Sequence, residues 1–386
     1  MLKRMIALML SIVMLMAVLA GCGAAETLVD TEPATEAAPV ATDAPDASVE
    51  TEAAAPAELP TIRVGVMGGM LKAGLVVLAR DLGIDEEEGF NLELVDVQSS
   101  ADALTSIITG KDEMDVWSFQ VMPSCNFIAN GADIKIFGGS VAEGGAMICA
   151  KGHAEEYKDL ENFKGKTILG IRGETGFITF IGLLVNAGFD VTKDINIVWT
   201  NAPAVLEGVA KGEGDVGFLP IEYTYFEDEN INAEVVCHVG DLAENYICCR
   251  LTTSSQILEE RRDDFVKLIK AQIRAYHVYQ TDHETTIEVL SAYSGQTPEF
   301  VEDNIYNSCI KFTPDPYSDA IGPFYEVLRT MDFFDDPENA PDVYDHLDIS
   351  LYQEALEEIM AEYPDDAVYE ELYEIFLRQN SKMLAG

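Results

Sequence analysis

Basic residues are scarce in this sequence. The chain has 24 lysines and arginines against 68 aspartates and glutamates, and its formal net charge is −44. A surface of this sign repels phosphate backbones and anionic headgroups, which argues against nucleic-acid binding and against electrostatic attachment to a membrane. The same charge is typical of a protein that stays soluble outside the cell.

Several chemical signatures are also missing. The sequence has no G-x-x-x-x-G-K-[ST] loop, which excludes the ATPase of a transporter. It has no C-x-x-C pair, and its five histidines lack metal-ligand spacing, so we expect no metal, no cofactor and no catalytic residue. Apart from Cys22, the sequence contains Cys125, Cys149, Cys237, Cys248, Cys249 and Cys309. Most of these six cysteines lie in predicted strands or helices and should behave as small buried hydrophobic residues.

The N-terminus has the layout of a bacterial secretory signal. Lys3 and Arg4 precede an apolar run, which ends in Leu19-Ala20-Gly21-Cys22. This ending resembles the lipobox of lipoproteins, which implies that residues 1–21 are a signal peptide and that Cys22 is acylated. The apolar run falls short of the roughly 20 residues that span a bilayer, which disfavours the alternative of a transmembrane anchor.

The segment after Cys22 is predicted to be a disordered acidic linker over residues 22–59. From Ala24 to Glu58 it contains nine acidic residues and no lysine or arginine. Its few apolar side chains cannot build a core, and its prolines and like charges should extend it. A pro-peptide is the competing interpretation. The ordered protein is predicted to begin near Pro60.

Short β-branched runs then alternate with helical runs. Ile62–Val66, Asn91–Val97, Met114–Trp117 and Ile134–Phe137 are predicted strands, and the segments between them have helical periodicity. The alternation of strands and helices begins again after Lys166. The predicted strands of this second part are Thr167–Ile171, Ile195–Trp199, Asp215–Leu219 and Ala233–Val239. This order predicts an α/β fold with mostly parallel sheets covered by helices on both faces.

A similar sequence pattern occurs in both halves of the predicted α/β region. In the first half, Ala101-Asp102-Ala103-Leu104 leads through a helix and Gly110 to Asp115-Val116. In the second half, Ala202-Pro203-Ala204-Val205 leads through a similar helix and Gly212 to Asp215-Val216. We therefore expect two similar lobes.

Strand signals vanish after Ser255, and helical periodicity dominates the rest of the chain. Phe265, Leu268, Ile269, Gln272 and Tyr276 lie on one helical stripe. These C-terminal helices are expected to pack on the sheet of the first lobe. A separate helical domain is the alternative, although no Pro/Gly linker sets it apart.

The order of several segments resembles the extracytoplasmic solute-binding proteins of ABC importers. The likeness is to the aliphatic sulfonate, nitrate and taurine group, which is related to the thiamine-precursor-binding proteins. It spans roughly Thr61 to Tyr293 and rests on Ile62–Gly65, Leu75–Ile84, Glu88–Leu94, Ser100–Leu104 and Leu160–Gly170.

That resemblance implies a two-lobed periplasmic-binding-protein-like fold of type II. Lobe 1 would comprise residues 60–146 and 251–386, with the C-terminal helices, and lobe 2 residues 147–250. The crossover strands would be Ala146–Ala150 and Tyr246–Arg250. If these strands are adjacent, Cys149 lies near Cys248 or Cys249.

In doubly wound sheets, ligands bind beyond the carboxyl ends of the strands, where helix N-termini point. The loops at these positions predict ligand-binding residues. Trp117 and Phe119 could stack on a ligand. The alternatives are ordinary helix capping by the serines, a plain turn at the glycines and a core position for Trp117. The predicted ligand-binding residues are Gly69, Ser99, Ser100, Phe119, Gln120, Gly173, Thr175, Gly176, Asn201 and Glu222.

The resemblance favours a small sulfonate-like or other oxyanion as the ligand. It implies that this chain delivers the ligand to an ABC permease, and that the lipid on Cys22 attaches the chain to the membrane. A neutral or cationic heterocycle such as a thiamine precursor is the alternative, because Glu174 or Glu222 would welcome positive charge. Arg172 either neutralises Glu174 or faces solvent. A pyrimidine-related enzyme on the same fold and a surface sensor or adhesion protein are the other candidate functions.

Overall fold

The computed structural model describes residues 59–111, 113–224 and 230–385. The predicted signal peptide, the predicted acylation site Cys22 and nearly all of the predicted linker lie outside these residues. The first strand begins at Thr61, directly after the predicted start near Pro60. Within the described ranges, no helix combines the length and the apolar character needed to cross a membrane.

The described strands form two sheets. They are β1 (Thr61–Val66), β2 (Asn91–Asp96), β3 (Val116–Gln120), β4 (Ile134–Glu143), β5 (Gly145–Cys149), β6 (Thr167–Ile171), β7 (Asn196–Thr200), β8 (Val216–Pro220), β9 (Glu234–His238), β10 (Ile247–Ser254) and β11 (Ile310–Phe312). The first sheet has the order β11-β4-β10-β3-β1-β2, and the second has the order β7-β6-β8-β5-β9.

Both sheets are mixed rather than mostly parallel. Strand β1 pairs in parallel with β2 and β3, and β6 pairs in parallel with β7 and β8. Strand β10 is antiparallel to β3 and β4, and β5 is antiparallel to β8 and β9. Strand β5 is the first strand after the chain leaves the first sheet, and β10 is the first strand after it returns. The alternation of strands and helices in the sequence does not predict their antiparallel pairing.

Helices connect and cover the strands. They are α1 (Gly74–Asp81), α2 (Ile84–Glu87), α3 (Ser100–Ile108), α4 (Val121–Ala129), α5 (Thr175–Asn186), α6 (Ala202–Lys211), α7 (Ser255–Glu260), α8 (Arg262–Thr281), α9 (His283–Ser294), α10 (Pro298–Ile305), α11 (Ser318–Thr330), α12 (Ser350–Glu362), α13 (Ala367–Gln379) and α14 (Ser381–Ala385). Short 3₁₀ turns occur at Leu71–Ala73, Ala154–Lys158, Leu160–Phe163, Ile221–Tyr223, Val239–Asp241 and Val343–His346.

The repeated sequence pattern corresponds to equivalent contacts in the two halves. Asp115 Oδ2 accepts a hydrogen bond of 2.7 Å from the backbone N–H of Arg63 in β1. Asp215 Oδ2 accepts one of 2.7 Å from the backbone N–H of Thr167 in β6. Each aspartate thus ties the strand that it introduces to the central parallel strand of its own sheet.

The C-terminal helices pack on the first sheet, as predicted. Leu351, Tyr352 and Phe376 of α12 and α13 are buried in the same core cluster as Val64 of β1 and Phe265 of α8. One expectation is wrong: strand structure does not end at Ser255, because β11 pairs with β4 at the edge of the first sheet. Helix α11 packs against α5, which belongs to the second half.

The chain changes sheet at different places from those predicted. Strand β4 ends in the first sheet at Glu143 and β5 begins in the second at Gly145, so the change falls at Gly144, which has a φ of +97°. The return lies between His238 and Ile247.

Because β5 pairs with β8 and β9 and β10 pairs with β3 and β4, the predicted adjacency of Ala146–Ala150 and Tyr246–Arg250 is wrong. The strand pairing that would have brought Cys149 beside Cys248 or Cys249 is therefore not formed. All six described cysteines are free thiols.

Candidate functional site

A buried lysine marks the place where elements of the two sheets meet. Lys72 lies in the turn that follows β1 and is 4% exposed. Its Nζ lies 3.5 Å from Glu222 Oε2 and 3.4 Å from the carbonyl oxygen of Gly144. Glu222 lies in the turn after β8, and Gly144 is the residue at which the chain changes sheet. These contacts join the carboxyl end of a strand in each sheet.

The surroundings of Lys72 keep its side chain charged. Burial alone would lower the pKa of this lysine, because an ammonium loses its hydration in the protein interior. The attraction of Glu222, followed by that of Cys248, Cys249 and Glu174, outweighs burial and raises the pKa above its ordinary value. The site therefore holds a fixed positive charge beside two carboxylates.

Glu174 caps the helix that begins at this site. Its Oε1 accepts a hydrogen bond of 2.9 Å from the N–H of Gly176, and its Oε2 accepts one of 2.5 Å from the N–H of Phe177. Burial raises the pKa of the Glu174 carboxyl, although these two donors and Lys72 oppose the shift. Both oxygens are thus already satisfied by the N-terminus of α5.

Two glycines let the polar groups approach one another. A Cβ on Gly145 would lie 2.8 Å from the hydroxyl oxygen of Tyr246 and 3.0 Å from Glu174 Oε1. A Cβ on Gly176 would lie 3.1 Å from the same two atoms. No side chain larger than hydrogen fits at either position without moving Tyr246 or Glu174.

Three buried oxygen atoms at this site have no hydrogen-bond partner among the described residues. They are both carboxylate oxygens of Glu222, of which Oε2 forms an ion pair with the Lys72 ammonium at 3.5 Å, and the hydroxyl oxygen of Tyr246, which faces the backbone of Gly145. Burial also raises the pKa of Tyr246 well above its ordinary value, so the hydroxyl stays a potential donor. Buried polar atoms in folded proteins normally have hydrogen-bond partners, which ordered water or a bound molecule can supply.

A cavity of about 90 Å³ opens beside the Glu222 turn. Ile221 and Thr224 line it from the second half of the chain, and Asp303 and Asn304 of α10 line it from the C-terminal helices, together with Ser308. The side chain of Ser308 is buried without a hydrogen-bond partner among the described residues. The cavity is large enough for water or for one small group of a ligand.

The sequence and the fold were compared with known proteins. The family model described as NMT1/THI5 like matches residues 73–285, which is more than half of the chain. The chain belongs to the NMT1/THI5-like family. None of the curated proteins with which its sequence was compared matches it.

Solved structures share the fold of this NMT1/THI5-like protein at low sequence identity. The periplasmic aliphatic sulphonate binding protein SsuA from Escherichia coli is 14% identical, with a TM-score of 0.62 over 76% of this chain and 99% of that one. The periplasmic nitrate-binding protein NrtA from Synechocystis PCC 6803 is 11% identical, with a TM-score of 0.62 over 81% of this chain and 91% of that one. The chain therefore has the fold of periplasmic binding proteins.

An enzyme also shares this fold. The desulfurization enzyme DSZB is 14% identical, with a TM-score of 0.52 over 78% of this chain and 99% of that one. At these identities the likeness establishes the fold alone, so function has to be argued from the site. In the described parts of the chain, no group of three or more histidines, cysteines and carboxylates is arranged to hold a metal ion.

Three of the ten predicted ligand-binding residues of the NMT1/THI5-like protein lie at the buried cluster. Glu222 pairs with Lys72, Gly176 lies against Tyr246 and Glu174, and the Thr175 side chain hydrogen-bonds with Cys248. Gly173 is close by in sequence, has a φ of +92° and faces Met122, because a Cβ there would lie 2.3 Å from the Met122 methyl carbon.

Other predicted residues occupy helix starts. Ser99 caps α3 by accepting a hydrogen bond from the N–H of Asp102, and Asn201 caps α6 by accepting one from the N–H of Ala204. Ser100 is the first residue of α3. The ordinary capping role is thus present at both positions, and a cap leaves neighbouring N–H groups free for a ligand. The role of Ser99, Ser100 and Asn201 in ligand binding stays a prediction.

The remaining three residues lie at strand ends. Gly69 is exposed in the loop after β1, with a φ of +74°. Gln120 ends β3 and precedes α4, and its carbonyl oxygen accepts a hydrogen bond from Trp117 Nε1. Phe119 is 2% exposed and packs edge-on against Trp117 at 5.8 Å between ring centroids. Trp117 therefore has the core position that was its alternative, and the ring of Phe119, a predicted ligand-binding residue, is buried beside it.

Of the two alternatives for Arg172, neutralisation of Glu174 or exposure to solvent, the structure has the second, because Arg172 is exposed. The Arg172 guanidinium lies over the ring of Phe333, 4.5 Å from its centroid. The cation near Glu174 is Lys72 instead, which interacts with it electrostatically.

Sequence reasoning missed Lys72, Tyr246 and the adjacent cysteines Cys248 and Cys249. Lys72 offered one signal, since it is the only charged residue between Arg63 and Arg80. A single charge in an apolar stretch has to reach either solvent or a buried partner.

Proposed function

We propose that this chain captures a small solute between its two sheets and delivers it to an ABC permease, while the lipid on Cys22 ties it to the membrane. In this proposal residues 60–143 and the chain from Ile247 onward form one lobe, and Gly145 to His238 form the other. Gly144 and the segment 239–246 would be the hinge, which keeps the predicted division within a few residues.

The observation that carries the proposal is the meeting of Lys72, Glu222 and Tyr246 between the sheets, where the Glu222 carboxylate has an ion pair with Lys72 but no hydrogen bond among the described residues. A ligand with N–H donors would supply the hydrogen bonds that the Glu222 carboxylate lacks. An oxyanion would be repelled by Glu222, and the ammonium of Lys72 already has that carboxylate as its partner. We therefore favour a neutral or cationic nitrogen heterocycle over the sulfonate-like ligand that the sequence resemblance favours.

An oxyanion stays the second candidate because of Lys72. Its ammonium is buried and could change partner from Glu222 to a bound anion when a ligand arrives. In that case Lys72, rather than Glu222, would carry most of the affinity.

The two ligand classes are separated by thermal unfolding and calorimetry of the purified chain. Cationic pyrimidines and thiamine precursors form one panel, and taurine, alkanesulfonates and nitrate form the other. A ligand present at about 100 times its Kd should stabilise the folded chain by roughly 2.7 kcal/mol. We expect this shift with the cationic panel and not with the anionic one.

Two variants test the assignment of Glu222. Glu222→Gln should weaken the cationic ligand at least about tenfold, because a hydrogen bond to a charged group contributes roughly 1.5–3 kcal/mol. Glu213→Gln is the matched control, since this exposed carboxylate precedes the strand β8 that Glu222 follows, and it should leave the affinity unchanged. If the chain binds the anionic panel and Lys72→Met abolishes that binding, the ligand is an oxyanion instead. If the ligand binds equally well to Glu222→Gln, Glu213→Gln and Lys72→Met, the assignment of the site is wrong.

A further inference from the structure

Two adjacent cysteines at this site bring their sulfur atoms together. Cys248 Sγ lies 3.4 Å from Cys249 Sγ, and both side chains are buried. Successive side chains in a regular strand point to opposite faces, which would separate the two thiols. The pair therefore requires a break in the regular geometry of β10.

The strand contains that break. In the pairing with β4, Ile247 lies opposite Ala142 and Cys249 lies opposite Val141, so Cys248 is an extra residue without a partner in the register. Such a β-bulge turns two neighbouring side chains toward one side and releases the local backbone from the ladder. The bulge thus creates the thiol pair.

The groups around the pair differentiate the two sulfurs. The hydrogen bond from the Cys249 thiol, together with Lys72 and Thr175, lowers the pKa of Cys248 to about 7, although burial opposes this shift. Burial raises the pKa of Cys249 well above its ordinary value, and the neighbouring Cys248 adds to this effect. Of the two sulfurs, Cys248 is therefore the one with more thiolate character, and at 4% exposed it is also the less deeply buried, whereas Cys249 is fully buried and lies behind it as the second thiol.

We propose that Cys248 and Cys249 are a modification site that forms a reversible vicinal disulfide, with a low-molecular-weight disulfide as the oxidant. The Cys248 thiolate attacks one sulfur of the oxidant, forms a mixed disulfide and releases one small thiolate. Cys249 then gives up its proton and attacks Cys248 Sγ, which expels the second small thiolate. Two protein thiols are oxidised, one small disulfide is reduced to two thiols, and the two thiol protons pass to the two leaving groups.

The adjacency of the residues makes the bond reversible. Neighbouring Cα atoms are about 3.8 Å apart, whereas disulfides usually join Cα atoms at about 4.4–6.8 Å. The ring is therefore strained, and strained disulfides have more oxidising potentials. Because the cross-link encloses no loop, it also adds no loop-closure stabilisation. Its role is therefore to change the oxidation state of the site rather than to stabilise the fold.

Oxidation would change the candidate ligand site directly. The Lys72 ammonium interacts electrostatically with both sulfurs, and the Thr175 side chain hydrogen-bonds with Cys248. A disulfide removes the thiolate charge beside Lys72 and weakens the sulfur as a hydrogen-bond acceptor. This inference does not depend on which solute binds.

The test uses the whole chain under native conditions with oxidised glutathione as the probe. After incubation, the chain is unfolded in urea that contains N-ethylmaleimide, which blocks every remaining thiol including the buried ones, and the protein is analysed by intact mass and peptide mapping. We expect the peptide that contains Cys248 and Cys249 to lose the mass of two hydrogen atoms and to escape alkylation. Dithiothreitol should restore both thiols.

Single variants separate this pair from the other cysteines. Cys249→Ser should retain glutathione on Cys248, because the second thiol is missing, and Cys248→Ser should form no internal disulfide. Cys309→Ser is the matched control, since Cys309 lies 3.7 Å from the Gly145 carbonyl oxygen at the same site, and it should be oxidised to the same extent as the unchanged chain. Cys248→Ala and Cys249→Ala replace the serine variants if a buried hydroxyl prevents folding.

The unchanged chain alone already decides the question. Two thiols that stay fully alkylatable, a glutathione adduct that persists on Cys248, or an internal disulfide that includes Cys309 would each overturn the proposal. These outcomes leave the proposed solute binding untouched, because that function is read out by ligand titration of the reduced chain.

Discussion

The ammonium of Lys72 lies 3.5 Å from the carboxylate of Glu222, and this pair links the turn after β1 to the turn after β8. Both turns follow the carboxyl end of a strand, which is where α/β sheets bind ligands. The ion pair is therefore a contact between the two halves of the chain and a part of the candidate site at the same time.

Removal of Lys72 should destabilise the chain strongly. Lys72→Met leaves Glu222 without its cation in a buried position, which costs about 3–5 kcal/mol for pairs of this kind. The free energy of unfolding in urea measures the effect. Lys158→Met is the control, because Lys158 forms an exposed pair with Glu155 and its loss should leave the free energy of unfolding nearly unchanged.

The double variant Lys72→Met with Glu222→Gln tests whether the two groups interact. Once both charges are gone, part of the lost stability should return, since no unpaired buried charge remains at this pair. A double variant as unstable as the sum of the two single variants would contradict the interaction.

The aspartates that repeat between the halves should have comparable effects. Asp215→Ala leaves the N–H of Thr167 without its acceptor and should cost roughly 1.5–3 kcal/mol. Asp115→Ala should cost more, because the ion pair of Asp115 Oδ1 with Arg261 Nη1 at 2.9 Å is shorter than that of Asp215 Oδ1 with Lys166 Nζ at 3.5 Å. Urea unfolding gives the cost, and amide hydrogen exchange should show faster exchange of Thr167 in the first variant and of Arg63 in the second. Equal protection of these amides in both variants would contradict the repeat.

Asp315 should make the stability of the chain depend on pH. Burial raises the pKa of its carboxyl from 3.8 to about 6. Because the unfolded chain ionises this group first as the pH rises, the folded chain should lose about 3 kcal/mol of stability between about pH 4 and pH 6 and then stay level.

The variant Asp315→Asn isolates this effect. It keeps an acceptor oxygen for the N–H of Tyr317 and the side chain of Asn380, but it cannot ionise. The free energy of unfolding of Asp315→Asn, measured in urea, should therefore increase relative to that of the unchanged chain between about pH 4 and pH 6. Stability curves that run parallel over this range would contradict the prediction.

Cys22 should be the acylated first residue of the mature protein. The positive residues Lys3 and Arg4, the apolar run and the small residues before Cys22 are the basis for this prediction. Mass spectrometry of the chain from its native host should find a diacyl or triacyl cysteine at this position. A mature chain that starts elsewhere, or a Cys22→Ala protein that stays on the membrane, would contradict it.

The order of strands and helices could be predicted from sequence because it depends on neighbours in the chain. Alternation in Asn91–Val97 predicts a strand, and the structure has β2 at Asn91–Asp96. The capping residues Ser99 and Asn201 begin α3 and α6, since a cap needs only the backbone a few residues away. The fold class followed from this order.

The strands that change sheets were predicted less well. Antiparallel pairing in β5 and β10 and the short edge strand β11 depend on which distant strand supplies the hydrogen bonds. The composition of these segments is compatible with either sheet. The prediction therefore placed the change at residue 146, and the structure places it at Gly144.

The sequence alone thus determined the α/β order, the family resemblance and the strand ends where a ligand site is expected, because these depend on periodicity and local capping. Only the tertiary structure decided which groups meet there. Lys72 and Glu222 are 150 positions apart, and the contact between Cys248 and Cys249 requires a bulge that is defined by the partner strand β4. Such contacts arise from packing two sheets against each other, and no local pattern in the chain encodes their distances.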